Sequence, residues 1–132
     1  MAKEQIVCDT DVIIDYWNTL NQRHIDTKNV LENTVGFENI ALTAITKMEL
    51  MLGARDREAL KRIKKKCDHY PILLIDNEIT QVAIRLLEQY KLSHGLAMAD
   101  ALIAATCSVS DLRLFTHNIK DYVFIDGLRL YR

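Results

Sequence analysis

An α/β fold with a mostly parallel sheet covered on both faces by helices is what this sequence predicts. Short apolar runs alternate with helix-like segments along the whole chain. Those runs lack the polar alternation of a half-exposed sheet, which marks strands buried on both faces. One proline and four glycines among 132 residues leave little irregular structure between elements. The length is that of one domain, residues 1–132, able to bury a proper core.

The elements follow in order. Residues 5–9 read as a buried strand and Val12 to Leu20 as the helix after it. A polar patch, Asn21 to Lys28, leads to a second helix carrying Val30, Leu31 and Val35. Ile40-Ala41-Leu42 is a second strand closed by Thr43, and a helix over 44–53 ends at Gly53, a residue suited to a left-handed cap. Residues 56–67 form a strongly basic helix, and Ile72 to Ile75 a strand after Pro71. Glu78 to Tyr90 is an amphipathic helix, its apolar residues Ile79, Val82, Ala83, Leu86, Leu87 and Tyr90 spaced for one face, with Asp76 or Asn77 as cap. An apolar helix over 97–109 precedes a strand from Leu112 to Thr116. A last strand falls in Val123 to Ile125 or in Leu128 to Tyr131.

Composition excludes several classes. About half of the residues are apolar, and the net charge of −1 neither demands nor forbids a nucleic-acid partner. Cys8, Cys67 and Cys107 are odd in number and widely spaced, which favours a reducing, cytoplasmic setting over a disulfide framework. Lys3, Glu4 and Gln5 interrupt any apolar leader, and no run approaches the roughly 18 apolar residues of a membrane span.

The chemistry lies in the acids. Asp100 sits in Leu96 to Ala105, a helical stretch otherwise apolar on every side, with no basic residue in the neighbouring turns. A carboxylate facing an interior is costly unless paired, hydrogen-bonded or bound to metal. Asp9 directly follows the run Ile6 to Cys8, and Glu49 enters the apolar segment Met48 to Leu52. Acids delivered by separate apolar elements predict a convergent cation site. In an open parallel sheet it lies beyond the carboxyl ends of the strands, where Thr43 and Thr116 to Asn118 also fall.

Each acid also fits a plainer role. Asp9 suits a helix cap, Asp11 a pocket edge or cap, and Asp15 a solvent-facing position in a first turn. Thr46 to Glu49 has capping-box spacing, but a cap at Thr43 puts Glu49 in the second turn, too far in for that role. Hard oxygen donors without zinc-like His or Cys spacing suit Mg²⁺ or Mn²⁺, leaving His94 and His117 on a surface or rim. Asp9-Thr10-Asp11 has the spacing of haloacid-dehalogenase-like phosphatases, but Val12-Ile13 breaks that pattern. A receiver-domain reading with Asp76 and Lys120 leaves Glu49 and Asp100 unexplained.

Taken in order, the acidic segments resemble the motifs of PIN-domain ribonucleases, and within them the VapC toxins of toxin–antitoxin pairs. Cys8-Asp9-Thr10-Asp11 is similar to the first motif, with Asp11 where asparagine is common. Thr43 to Leu50 with Gly53 resembles the second, and His94-Gly95-Leu96 through Asp100 to Thr106 the third. Thr116-His117-Asn118 with Asp121-Tyr122 resembles the fourth, with Asn118 where many members carry aspartate. The resemblance spans about residues 6 to 126.

That resemblance implies a three-layer α/β/α sandwich around a mostly parallel sheet of four or five strands. It also implies a metal-dependent endoribonuclease, with Asp9, Glu49 and Asp100 holding Mg²⁺ or Mn²⁺. Asp121 joins them as a catalytic acid, and Thr10, Asp11, Thr116 and Asn118 orient substrate or ligands. Arg57, Lys61, Lys64 and Lys65 lie on one stripe of the basic helix, as a phosphate-tracking patch or as a solvated face. The implied partners are an RNA substrate, a cognate antitoxin and a second copy of the chain, with no membrane. A housekeeping PIN nuclease and a catalytically impaired PIN-like module binding RNA or protein are the competing readings.

Overall fold

A computed structural model describes residues 4–132; Met1 to Lys3, including the Lys3 that entered the reading of the N-terminus, lie outside the described residues. Four strands pair in parallel in the order β3-β2-β1-β4: β1 (Ile6–Cys8), β2 (Ile40–Thr43), β3 (Ile72–Leu73) and β4 (Arg113–Phe115). Around them run α1 (Thr10–Trp17), α2 (His24–Asn29), α3 (Ala44–Leu52), α4 (Arg57–Cys67), α5 (Asn77–His94) and α6 (Met98–Ser110). This is the α/β/α sandwich with a parallel four-stranded sheet that the sequence predicts.

Side-chain alternation explains why the strands look uniformly apolar. Successive residues of a strand point to opposite faces. Val7, Ala41 and Leu114 join a core with α5 and α6, where Ile79, Ala83, Leu86, Ile103 and Ala104 are buried. Ile6, Cys8, Ile40, Leu42 and Phe115 join a second core against Val12, Ile13, Leu31, Leu50 and Cys67. Each strand therefore feeds two cores, so no polar face is left to read. All three cysteines are free and buried. Among the described residues no helix is long and apolar enough to cross a membrane.

The caps set the boundaries. Asp76 accepts from the Ile79 N–H at 2.8 Å and starts α5, which runs past the expected Tyr90 to His94 and stops at Gly95 with φ +68°. A left-handed residue there is natural for glycine. Gly53 behaves otherwise: its φ is −78°, a right-handed turn, so the predicted left-handed cap is corrected. The chain keeps turning, with Ala54 N–H bonded to Met51 at 3.1 Å, until Asp56 caps α4.

Other boundaries also moved. Because Asp9 caps α1, the helix starts at Thr10 rather than Val12. It ends at Trp17, where Asn18 leaves the helical region and its side chain accepts from the Leu20 N–H at 3.1 Å. The polar patch is itself partly helical: α2 begins at His24 and passes into a wider helical turn, Val30–Val35, closed by Gly36. The strand expected over Ile72 to Ile75 pairs only through Leu73, and Leu74 is exposed. Short edge strands of this kind limit unwanted pairing. Of the two places for a last strand, the second forms a single parallel bridge, Leu114 with Leu130.

Leu114 is thus locked on both sides and fully buried, whereas Leu92 is 99% exposed. Leu114→Ala should lower unfolding free energy by about 2–5 kcal/mol, and Leu92→Ala by less than about 0.5 kcal/mol. Chemical denaturation of the two variants measures this, and equal losses would contradict the two-core description.

Candidate active site

The sheet order changes direction at β1. From there β2 and β3 extend one way and β4 the other, which makes the carboxyl ends of β1 and β4 the switch point where open α/β sheets bind ligands. The β1–β4 ladder runs one step past the strands, with Asp9 N–H donating to the Phe115 carbonyl at 2.9 Å. This pairing places Asp9 beside Thr116, and Thr116 Oγ1 donates to Asp9 Oδ2 at 2.8 Å. Asp9 Oδ1 accepts from the Thr10 N–H at 2.8 Å, so Asp9 is both the cap of α1 and a member of the acid group.

Thr43 caps α3, accepting from the Thr46 N–H at 3.1 Å. Glu49 accordingly lies in the second turn, free of any capping role. It is exposed, and its Oε1 accepts from Thr10 Oγ1 at 2.6 Å. Thr46 is fully buried beneath this contact, 3.1 Å from Thr10 Oγ1. Asp100 stands in the first turn of α6, half-buried rather than enclosed, and its Oδ1 accepts from Tyr122 Oη at 3.1 Å. The most deeply buried of these acids is Asp9, at 6% exposure.

Charge is what distinguishes the cluster. Burial, chiefly, and then the Asp11 charge push the Asp9 carboxyl up to about 6, against the pull of Thr116, Thr10 and Tyr122. Burial likewise raises Asp100 to about 6; Tyr122 lowers it, while the charges of Asp9, Asp121 and Glu49 add to the rise. Among the described residues, the leading influences on either acid include no lysine or arginine; His117, whose imidazole burial pushes down, feels the Asp9 charge. The donors offered are neutral hydroxyls and one backbone N–H. Among the described residues, no three His, Cys, Asp or Glu side chains are drawn together at metal-ligating spacing. The oxygen-only donor set and its uncompensated charge nevertheless fit a hard divalent cation.

The remaining predicted residues divide. Asp11 is part-buried, and its Oδ2 accepts from the His117 N–H at 3.0 Å, tying α1 to the loop after β4. Its other oxygen is buried without a hydrogen-bond partner. Asn118 is exposed, its N–H bonded to Thr116 Oγ1 at 3.0 Å, while Asp121, in the turn Ile119–Asp121, is half-buried and acts on Asp100. Arg57, Lys61, Lys64 and Lys65 are all exposed on α4. Asp15 does not face solvent as predicted. It lies late in α1, its side chain only 14% exposed, with His117 Nε2 at 3.4 Å, Arg23 at 3.8 Å and Asn21 at 2.9 Å. Thr27 Oγ1 lies 3.1 Å from the same Nε2 of His117.

Sequence reasoning missed Tyr122 and Thr46 as parts of this arrangement. Tyr122 had one readable signal, a large phenol directly after an acid of the fourth motif.

A family model described as "PIN domain" matches residues 6–123. The chain belongs to the PIN-domain family. Among the relatives of this PIN domain, Ribonuclease VapC19 of Mycobacterium tuberculosis is 31% identical over 93 residues, covering 70% of this chain and 74% of that protein. A chain of a toxin–antitoxin complex from Klebsiella pneumoniae superposes with a TM-score of 0.75 at 30% identity, covering 94% of this chain and 95% of its own. FitAcB from Neisseria gonorrhoeae shares the fold, with a TM-score of 0.73 at 23% identity, covering 97% of each chain.

A carboxyl raised in the folded state favours folding where it is protonated and disfavours it once ionised. In chelator-treated PIN domain, the Asp9 contribution is therefore lost as pH rises from about 4 through about 6, by up to about 3 kcal/mol. Asp9→Asn, which keeps a capping side chain, should remove that dependence. Denaturation midpoints of both proteins from pH 4 to 8 test this; parallel profiles would contradict the burial of an uncompensated Asp9 charge.

Proposed function

We propose that this PIN domain is a metal-dependent endoribonuclease hydrolysing RNA phosphodiester bonds, the toxin of a VapBC-type toxin–antitoxin pair acting in the cytoplasm. The observation that carries the reading is that Asp9 at the β1–β4 switch point and Glu49 both act on Asp100 through their charge, while the hydrogen-bond donors to these acids among the described residues are neutral. Supporting it are the ribonuclease name of the Mycobacterium tuberculosis relative and the toxin–antitoxin complex among the similar structures.

Asp9, Glu49 and Asp100 would hold Mg²⁺ or Mn²⁺, with Asp121 adding negative charge beside Asp100. When bound, such a cation lowers the pKa of water and offsets charge on the phosphate and leaving oxygen. The chain's own part is orientation. Thr116 and Thr10 fix the two oxygens of Asp9, and the Thr10 hydroxyl fixes Glu49. Asp11 holds the Thr116–Asn118 loop against α1 through the His117 N–H, which leaves the Asn118 amide exposed to orient substrate. No side-chain nucleophile is required.

RNA approaching an acidic centre needs outlying cations. Arg57, Lys61, Lys64 and Lys65 supply them along the exposed face of α4. A groove lined by Ile14, Trp17, Leu50 and Ile63 leads to Glu49, and an antitoxin segment bearing a basic residue would use it to reach the acids. A homodimer is part of the same reading.

Protein stripped by chelator should be inactive on RNA and regain cleavage with Mg²⁺ or Mn²⁺. Asp100→Asn should lose more activity than the about 10–100-fold typical of outer-shell changes, with an unchanged circular dichroism spectrum. Wild-type protein that binds RNA or a partner but cuts none of total tRNA, rRNA or mRNA would overturn the enzyme reading.

Replacing Lys61, Lys64 and Lys65 by glutamine should weaken RNA binding regardless of sequence and flatten its salt dependence by up to about three counterions. Filter binding across salt concentrations measures this. An unchanged slope would mean that α4 only presents a solvated face.

A further inference from the structure

We propose that Tyr122 is a positioning residue of the acid cluster: its buried phenol O–H, donated to Asp100 beside Asp9, sets the orientation in which Asp100 meets a divalent cation. The inference rests on the metal-dependent reading above and adds a residue to it.

Tyr122 follows the turn Ile119–Asp121 and is 1% exposed, its ring packed in the core that includes Val7, Ala101 and Ile125. A core that needed only the ring would be served by phenylalanine, because a buried hydroxyl is costly unless bonded. The hydroxyl is bonded, to Asp100 Oδ1 at 3.1 Å. That is the one hydrogen bond the Asp100 carboxylate accepts among the described residues. Asp9, by contrast, has Thr10 and Thr116 on its two oxygens, and the Tyr122 hydroxyl acts on it only as a third and weaker partner. Asp100 therefore depends on Tyr122 for its direction as Asp9 depends on Thr116.

The donor's chemistry suits that task. Burial and the nearby charges of Asp9 and Asp100 push the phenol far above its ordinary range, so it stays a donor. Being neutral, it orients a carboxylate without cancelling its charge. A lysine at the same place would neutralise Asp100 and repel an incoming cation. Tyr122 occupies one oxygen of Asp100 and leaves Oδ2 unbonded within the described residues. The turn that carries Tyr122 also carries Asp121, whose charge acts on Asp100, so one short segment supplies both.

The test is calorimetric titration of Mn²⁺ into the full chain, as wild type, Tyr122→Phe and Asp100→Asn, with melting temperatures measured without metal. Tyr122→Phe is expected to raise the Mn²⁺ dissociation constant about 10-fold or more, as loss of an outer-shell partner does. Its metal-free melting temperature should stay within about 8 °C of wild type. Asp100→Asn should lose binding further.

A Tyr122→Phe dissociation constant within about twofold of wild type, with Asp100→Asn impaired, overturns the Tyr122 role and leaves the metal reading standing. Wild type that binds no Mn²⁺, or Asp100→Asn that binds like wild type, overturns both. Should Tyr122→Phe fail to fold, wild type labelled with ¹³C at the tyrosine ζ-carbon decides. The Tyr122 signal, assigned by Phe substitution at Tyr16, Tyr70, Tyr90 and Tyr131, is expected to shift with Mg²⁺ in step with binding. No shift at saturation overturns the inference.

Discussion

Negative charge held by neutral donors, with no lysine or arginine bonded to Asp9 or Asp100 among the described residues, is the condition around which the carboxyl edge of this sheet is built. Parallel pairing of β1 with β4 brings Asp9 to Thr116, and the α1 cap at Asp9 brings Thr10 within reach of Glu49. The cost of crowding acids falls on Asp9 and Asp100, whose carboxyls both rise to about 6. Stability alone would favour a lysine or arginine here, since an uncompensated buried charge is among the more expensive features a fold can carry. The chain instead surrounds the acids with neutral donors, which leaves their charge available.

The rest of the molecule holds that edge rigid. Each strand sends alternate residues into two cores, so β1 and β4 are gripped from both faces. The loop beyond β4 is tied down at several points: Asp11 takes the His117 N–H, Thr116 takes that of Asn118, and His117 Nε2 meets both Asp15 and Thr27. Asp11 stands where asparagine is common in the resembling motif. Either side chain offers an oxygen to that N–H, and so the change keeps the tie.

The acids were legible in the sequence because apolar neighbours make a carboxylate conspicuous. Asp9 after Ile6 to Cys8 and Asp100 among alanines and leucines are read from that contrast. The same contrast overstated the enclosure of Asp100 and Glu49, since Met98 on α6 and Met48 and Leu52 on α3 are themselves 70%, 48% and 85% exposed. Position beyond the local segment was not legible. Asp15 was placed outward because its inward partners, Arg23 and His117, come from other segments. Tyr122 entered the sequence reading only as the neighbour of Asp121, and only its packing in the core with α6 puts its hydroxyl on Asp100. The left-handed cap expected at Gly53 failed for a related reason: the next helix cap, Asp56, sets the path of that connection.

Diffraction at the manganese absorption edge, from crystals grown with Mn²⁺, tests most directly whether these acids form one cation site. The expected result is an anomalous peak at about 2.0–2.6 Å from carboxylate oxygens of both Asp9 and Asp100, lost in Asp100→Asn. Manganese bound elsewhere, or none at this edge in a well-ordered crystal, would contradict it.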